Sequence, residues 1–147
     1  MKLKDIMTEK VEVVAPDTSL YEAARKMRDL DVGVLPVCDG ERLVGMLTDR
    51  DLTVRAVAEG RDPKTAPVRE SMTPEIVYCF EDQEAAEAER IMAEKQIRRL
   101  PVLNRDKRLV GIVSLGDLAT KTDEARAVGK TLEKVSEPSA QTSPVIL

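Results

Sequence analysis

The sequence predicts an α/β fold of the α+β type, in which two β-α-β-β-α repeats pack sheet to sheet about a pseudo-twofold axis. The first observation is an internal repeat, since Leu35-Pro36-Val37 recurs as Leu100-Pro101-Val102. The second is that Val44-Gly45 recurs one residue further along, as Val110-Gly111. The added residue falls in a polar turn, where insertions are tolerated. The third is that both copies show strand and helix patterns in the same order.

The first copy opens with a strand predicted at residues 11–14, which are mostly β-branched and are soon followed by Pro16. Ser19 and Glu22 form a capping-box pattern, which predicts the start of a helix. Helical spacing places four residues on the inward face of that helix: Leu20, Ala23, Ala24 and Met27.

The rest of the first copy reads as a hairpin followed by a helix. Residues 34–38 and 43–47 are apolar stretches joined by an Asp39-Gly40 turn signal. Asp49 then starts a second helix, which ends near Gly60. Its predicted inward residues are Leu52, Ala56 and Val57.

The second copy repeats this order. A strand is predicted at residues 76–80, and Asp82 is expected to begin a helix with Ala85, Ala88 and Met92 inward. Residues 99–103 and 109–113 form the second hairpin, and a closing helix starts at residues 116–120.

These patterns divide the chain into residues 1–61 as repeat 1, 62–67 as a linker and 68–121 as repeat 2. The linker contains two helix-breaking prolines. Residues 122–147 are predicted to hold one more helix, at 124–135, and a polar, mobile tail. A unit of about 60 residues buries little surface alone, so the two repeats are expected to share a core.

Composition excludes several classes of function. The net charge of −4 disfavours nucleic acid as a partner. No apolar run is long enough to span a bilayer, and none resembles a secretory signal, so a cytoplasmic protein is expected. Histidine is absent and there are two cysteines, Cys38 and Cys79, so neither a metal site nor a catalytic base is predicted. We therefore predict that the chain is not an enzyme.

One pattern at the end of each hairpin is typical of phosphate binding. Thr48 and Ser114 each end a strand, and Asp51 and Asp117 follow three positions later in the first turn of a helix. A hydroxyl and free N–H groups at a helix start can hold a phosphate, and the carboxylate can accept hydrogen bonds from ribose hydroxyls. Plain helix capping explains the same residues, and duplication would copy caps as faithfully as binding sites.

The repeated Met-Thr, Leu-Pro-Val and Gly-x-x-Thr/Ser-x-x-Asp patterns resemble a tandem cystathionine-beta-synthase (CBS) domain pair, or Bateman module. The resemblance extends over residues 3–121. More specifically, the sequence resembles the stand-alone bacterial pairs related to hypoxic response protein. It implies a regulatory module that binds AMP, ADP, ATP or S-adenosylmethionine in clefts between the repeats, usually as a homodimer.

The resemblance also implies roles for individual residues. Asp51 and Asp117 match the ribose-binding position, and Thr48 and Ser114 match the hydroxyl beside the phosphate. Arg98 and Arg99 match phosphate-contacting basic residues, whereas Gly33 and Val34 stand in their place in the first copy. The Ser114 cleft is therefore expected to be the better nucleotide site. Adenine is expected near Thr8, Val13 and Val32 there, while the Thr48 cleft would use Thr73, Tyr78 and Ile97.

The leading hypothesis is thus a non-catalytic regulatory module that binds an adenine nucleotide as a regulatory ligand, with no cofactor. Its expected partners are a second copy of the chain and a separate effector protein, without nucleic acid or membrane. The alternative is an interaction or scaffold protein whose clefts bind no nucleotide.

Overall fold

The fold is that of a computed structural model, which describes residues 1–74, 76–121 and 125–138. Two copies of one α+β unit follow each other, and an additional helix follows the second copy. The first half contains α1 (Leu20–Leu30), β1 (Val34–Asp39), β2 (Arg42–Thr48) and α2 (Asp49–Asp51), which continues into a π-helical turn over Leu52–Val57. The second half contains β3 (Cys79–Phe80), α3 (Ala85–Lys95), β4 (Arg99–Leu103), β5 (Leu109–Ser114) and α4 (Leu115–Lys121); α5 (Ala125–Ser136) follows. Short 3-10 turns lie at Leu3–Asp5 and Val68–Glu70.

Both predicted hairpins are confirmed, and they have matching registers. In β1 and β2, Val37 lies opposite Gly45, and in β4 and β5, Val102 lies opposite Gly111. Gly40 turns the first hairpin with a φ of 63°, a conformation that glycine adopts without steric cost. The repeat is therefore present in the hydrogen-bond pattern as well as in the sequence.

The predicted first strand of each copy is wrong in length. Residues 11–14 reduce to one parallel bridge between Val14 and Val37, and residues 76–80 reduce to Cys79–Phe80 beside β4. The hairpin prolines explain both cases. Extending either parallel ladder backwards would require the N–H of Pro36 or Pro101 as donor, and proline has none.

Helix α1 begins as predicted, because the Ser19 hydroxyl accepts a hydrogen bond from the N–H of Glu22 at 3.1 Å. Leu20, Ala23 and Met27 are buried. Ala24 is exposed, contrary to prediction. Only a narrow stripe of α1 therefore faces the core.

Two further helix predictions need correction. Val57 is predicted to face inward but is 72% exposed. The cause is the π-helical turn, in which the Ala58 N–H donates to the Thr53 carbonyl at 2.9 Å. This wider turn rotates the side chains that follow it around the helix axis. Helix α3 starts at Ala85 rather than at Asp82. Asp82 instead accepts two hydrogen bonds from the Arg105 guanidinium.

The two halves exchange their leading segments. Residues 1–8, the N-terminal crossing segment, place Leu3 and Ile6 in the core of the second half with Leu100 and Val113. Residues 66–73, the middle crossing segment, contribute to the core of the first half, whose largest members include Leu20, Leu35 and Val68. A third apolar cluster around Cys38, Leu43 and Leu103 joins the halves. The division into residues 1–61 and 68–121 stays a prediction about the sequence. In the folded protein each core includes a crossing segment from the other sequence repeat.

The crossing segments are fixed by paired backbone hydrogen bonds. Thr8 and Ile112 exchange bonds of 2.8 and 3.0 Å, and Thr73 and Met46 do the same at 2.8 and 3.0 Å. Each Met-Thr pair thus contacts the glycine-containing strand of the other half directly.

The linker also belongs to the packed structure. Ala66 and Pro63 accept hydrogen bonds from the N–H groups of Leu20 and Tyr21, at 3.0 and 2.9 Å. The first turn of a helix has no internal partners for these donors. The linker therefore completes the start of α1.

Helix α5 was predicted at residues 124–135 and occurs at Ala125–Ser136. It packs against α3 and α4, and the Gln96 side-chain amide donates to the carbonyls of Lys134 and Glu137 at 3.3 and 2.9 Å. The predicted mobile tail lies, after Pro138, outside the described residues.

Candidate functional site

The hydroxyl and carboxylate singled out in each copy form a reciprocal capping box. Asp117 Oδ2 accepts from the Ser114 N–H at 2.9 Å, and the Asp117 N–H donates to Ser114 Oγ at 3.0 Å. Thr48 and Asp51 form the same pair of bonds, each 3.0 Å long. Both aspartates therefore cap their helices, as the alternative explanation predicts, and each does so with one oxygen of its carboxylate.

The second carboxylate oxygen differs between the copies in its surroundings. Asp51 Oδ1 lies 3.7 Å from Arg55 Nε, and the Asp51 side chain is 11% exposed. Asp117 Oδ1 lies 3.5 Å from Lys121 Nζ, and its side chain is 19% exposed. An incoming hydroxyl group has better access to Asp117.

A cleft of about 310 Å³ opens beside Asp117, between the two halves. The structure brings five of the predicted residues together in its lining: Thr8, Val32, Arg99, Ser114 and Asp117. The N-terminal crossing segment carries Thr8 over β5, and the loop after α1 supplies Val32. This volume is at the lower end of the range for small-molecule pockets.

Several lining residues were missed by the sequence argument, among them Lys10, Leu30, Ile112 and the acidic Glu12. Lys10 adds a positive charge, while Leu30 and Ile112 add apolar surface. The alternation of Thr8 and Lys10 along an extended segment was the available signal, because residues two apart face the same side.

Two residues expected in this cleft lie elsewhere. Val13 packs against the central cluster around Cys38, and its carbonyl accepts from Lys26 Nζ at 2.9 Å. Arg98 lines a neighbouring cavity that faces α5 instead of the cleft.

The residues predicted for the first-copy cleft are not gathered in one place. Thr73 is bonded through its backbone to Met46 in β2. Tyr78 stacks edge-on against Phe80, with ring centres 5.5 Å apart, and lines a groove at the hairpin turns. Ile97 packs on the core of the second half.

Charge also separates the two copies. The Asp49 N–H donates to the Gly33 carbonyl at 2.9 Å, and the Leu115 N–H donates to the Arg98 carbonyl at 2.8 Å, so these pairs are structural equivalents. A side chain at position 33 would meet the Asp49 carboxylate, which lies 3.0 Å from an added Cβ. The first copy therefore presents Asp49 where the second presents Leu115, and an anion is favoured only in the second.

The described residues offer no group of three or more His, Cys, Asp or Glu side chains arranged to hold a metal ion. Burial raises the pKa of both thiols, and that of Cys79 reaches about 11. A protonated buried thiol is a poor nucleophile. Among the described residues no helix is long and apolar enough to cross a membrane.

Comparison with known proteins gives a consistent result. The CBS domain family profile matches twice, over residues 3–57 and 68–123. The CBS domain-containing protein YhcV of Bacillus subtilis is 42% identical, over 91% of this chain and 94% of that protein. Hypoxic response protein 1 of Mycobacterium tuberculosis is 39% identical, over 95% of this chain and 97% of that protein.

Solved structures share the fold. The crystal structure of hypoxic response protein I with two coordinated zinc ions has a TM-score of 0.76 and 41% identity, covering 83% of this chain and 99% of that one. The crystal structure of CBSX2 in complex with AMP has a TM-score of 0.71 and 28% identity, covering 85% of this chain and 98% of that one.

Proposed function

The chain belongs to the CBS domain family, and from this we propose that it is a non-catalytic regulatory module that binds an adenine nucleotide in the Asp117 cleft. The observation that carries the proposal is the composition of that cleft, which combines apolar walls with the Asp117 carboxylate and two basic side chains, Lys10 and Arg99; its other carboxylate, Glu12, is paired with Lys26 at 3.3 Å. Adenine pockets require apolar walls, ribose hydroxyls require an acceptor, and phosphate requires cations.

The proposed roles follow from position. Val32, Leu30 and Ile112 supply the apolar wall for the base. Asp117 Oδ1 accepts from the ribose while Oδ2 remains in the capping box. Arg99 faces the phosphate beside Ser114. The complex of the related CBSX2 with AMP supports the ligand class.

The matching family is not a catalytic one, and regulation by population shift suits a site made by two halves. A ligand that contacts both halves stabilises the arrangement in which both contacts exist. We propose that a homodimer and a separate effector protein transmit this shift. A cytoplasmic location stays a prediction.

Isothermal titration calorimetry with AMP, ADP, ATP and S-adenosylmethionine tests the proposal. We expect at least one nucleotide to bind, and Asp117→Asn to weaken binding by about tenfold or more, because hydrogen bonds to charged groups contribute about 1.5–3 kcal/mol. Asp51→Asn is the matched control, since it alters the equivalent capping box without touching the cleft. We expect it to leave affinity within about twofold.

Failure of all four ligands to bind would contradict the nucleotide proposal. It would favour the alternative of an interaction or scaffold protein. Equal losses for Asp117→Asn and Asp51→Asn would show that the carboxylate acts through helix capping alone.

A further inference from the structure

The lining of the Asp117 cleft carries no net charge by itself. Its two cations, Lys10 and Arg99, are matched by two carboxylates, Glu12 and Asp117. An anionic ligand gains little net attraction from such a lining, because the carboxylates repel it while the cations attract it. The charge that a ligand meets in the cleft therefore depends on the groups outside the lining that neighbour the two carboxylates.

Lys26 of α1 lies outside the lining and compensates Glu12. Its Nζ lies 3.3 Å from Glu12 Oε2, and it donates a hydrogen bond to the Val13 carbonyl at 2.9 Å. An exposed ion pair alone is loosely held, but the partly buried carbonyl bond fixes the ammonium group next to Glu12. Glu12, Glu22 and Asp29 line the same surface depression as Lys26, and in the described part of the chain Glu12 is the one within ion-pair distance of it.

The second carboxylate of the cleft is compensated in a similar way. Lys121 of α4 lies 3.5 Å from Asp117 Oδ1 and donates to the Ile6 carbonyl at 3.1 Å. The two lysines thus bond to backbone carbonyls on either side of Thr8 and Lys10, which line the cleft. With both lysines in place, the charge in and around the cleft is positive.

The two copies of the repeat differ at the position of Lys26. Arg55 stands at the position equivalent to Lys121, and it too lies near a carboxylate and donates to a backbone carbonyl. The residue equivalent to Lys26 is Ile91 of α3, which packs on the core of the second half. Duplication of a structural contact therefore accounts for Lys121 but does not account for Lys26.

We infer that Lys26 is a positioning residue of the Asp117 cleft, which holds and neutralises Glu12 and so makes the cleft favour an anionic nucleotide over its neutral nucleoside. The inference rests on the proposed function and adds to it a residue outside the lining that sets the charge of the preferred ligand. Lys26 acts through Glu12, without touching the ligand itself.

Calorimetry at low ionic strength tests this inference with two ligands: adenosine, and the tightest-binding of AMP, ADP and ATP. We expect Lys26→Met to weaken the nucleotide by about fivefold and adenosine by less than about twofold, because the uncompensated Glu12 repels the charged ligand alone. The loss for the nucleotide should shrink in about 1 M salt, which screens this repulsion. A purely structural role for Lys26 would weaken both ligands equally at either salt concentration.

Two further variants complete the test. Lys26→Met combined with Glu12→Gln removes both charges and should return the nucleotide affinity to within about twofold of the wild-type value. Arg28→Met is the matched control, because it removes the same charge two residues further along α1 and hence from the opposite face of this helix. It also frees the carboxylate of Asp29, which lies outside the cleft lining. We expect it to leave both affinities within about twofold.

The outcomes separate this inference from the proposed function. Equal losses for adenosine and the nucleotide, or no recovery in the double variant, would overturn the inference while nucleotide binding stands. Wild-type protein that binds adenosine as tightly as the nucleotide would overturn it in the same way, as would a preference for S-adenosylmethionine, whose net charge is positive. Absence of binding by every ligand would overturn the proposed function as well.

Discussion

Single residues differ between the halves at buried positions that the repeat makes equivalent. Ile6 precedes Met7-Thr8 and is 1% exposed, whereas Ser71 precedes Met72-Thr73 and is 0% exposed. Among the described residues the Ser71 hydroxyl has no hydrogen-bond partner. A buried hydroxyl without a partner destabilises the folded state.

We expect Ser71→Ala to raise the free energy of unfolding by about 1 kcal/mol, because it removes this unpaired group while leaving little empty space. Urea unfolding followed by circular dichroism measures the change. Ser19→Ala serves as the control and should lower stability by about 1 kcal/mol, since Ser19 caps α1. Equal destabilisation by both variants would show that the Ser71 hydroxyl is paired after all.

The sequence predicts part of the charge distribution at the cleft from single residues. The contrast between Arg98-Arg99 and Gly33-Val34 was readable from the aligned copies. The outward direction of Arg98 was not, because a one-residue step along an extended chain turns the side chain to the other face. The role of Asp49 beside Gly33 required the fold to be known.

At the scale of elements, hairpins and helix starts were predictable because their signals are local. The Asp39-Gly40 turn and the Ser19 cap act within a few residues. The lengths of the parallel ladders depend on a proline in a partner strand, and the orientation of Val57 depends on a π-helical turn. Neither effect is contained in the periodicity of the segment itself.

The approach of each crossing segment to its glycine strand gives an element-scale prediction. A Cβ added to Gly111 would lie 2.6 Å from Met7 Sδ and 2.9 Å from the Thr8 carbonyl oxygen. The sulfur can move, but the carbonyl is held by the Thr8–Ile112 pair. We expect Gly111→Ala to lower the free energy of unfolding by about 1–3 kcal/mol in thermal or urea melts.

Gly129 supplies the control for that substitution. It lies within α5 with no atom within 4 Å of an added Cβ, so Gly129→Ala should stabilise the protein by about 0.5–1 kcal/mol through helix propensity. A neutral Gly111→Ala variant would mean that the crossing segment adjusts its position freely.

At the scale of the whole molecule, the exchange of crossing segments joins the two cores. The repeat made two units readable from the sequence, but the Met-Thr motif gives no indication of which glycine strand it covers. Each motif precedes one hairpin along the chain and pairs with the other in space. This pairing is a tertiary contact between segments distant in the sequence, and a local periodic pattern carries no information about it.

We expect Leu3→Ala to destabilise the whole protein in one transition. Leu3 is 0% exposed and lies in the second-half core, so truncation should cost about 2–5 kcal/mol. In a Tyr78→Phe background, where Tyr21 is the remaining tyrosine and reports on the first half, fluorescence should follow the same urea midpoint as circular dichroism. Two separate midpoints would indicate that the halves unfold independently.

The crossing segments also impose an order on protein synthesis. The residues around Met7-Thr8 are synthesised more than a hundred residues before their partner Ile112. Contacts between distant parts of a chain form slowly because a long loop must close. During translation the first half can close as soon as Thr73 emerges, whereas Leu3 and Ile6 wait, unburied, for β5. During synthesis the nascent chain therefore carries an exposed apolar segment, of the kind that chaperones bind.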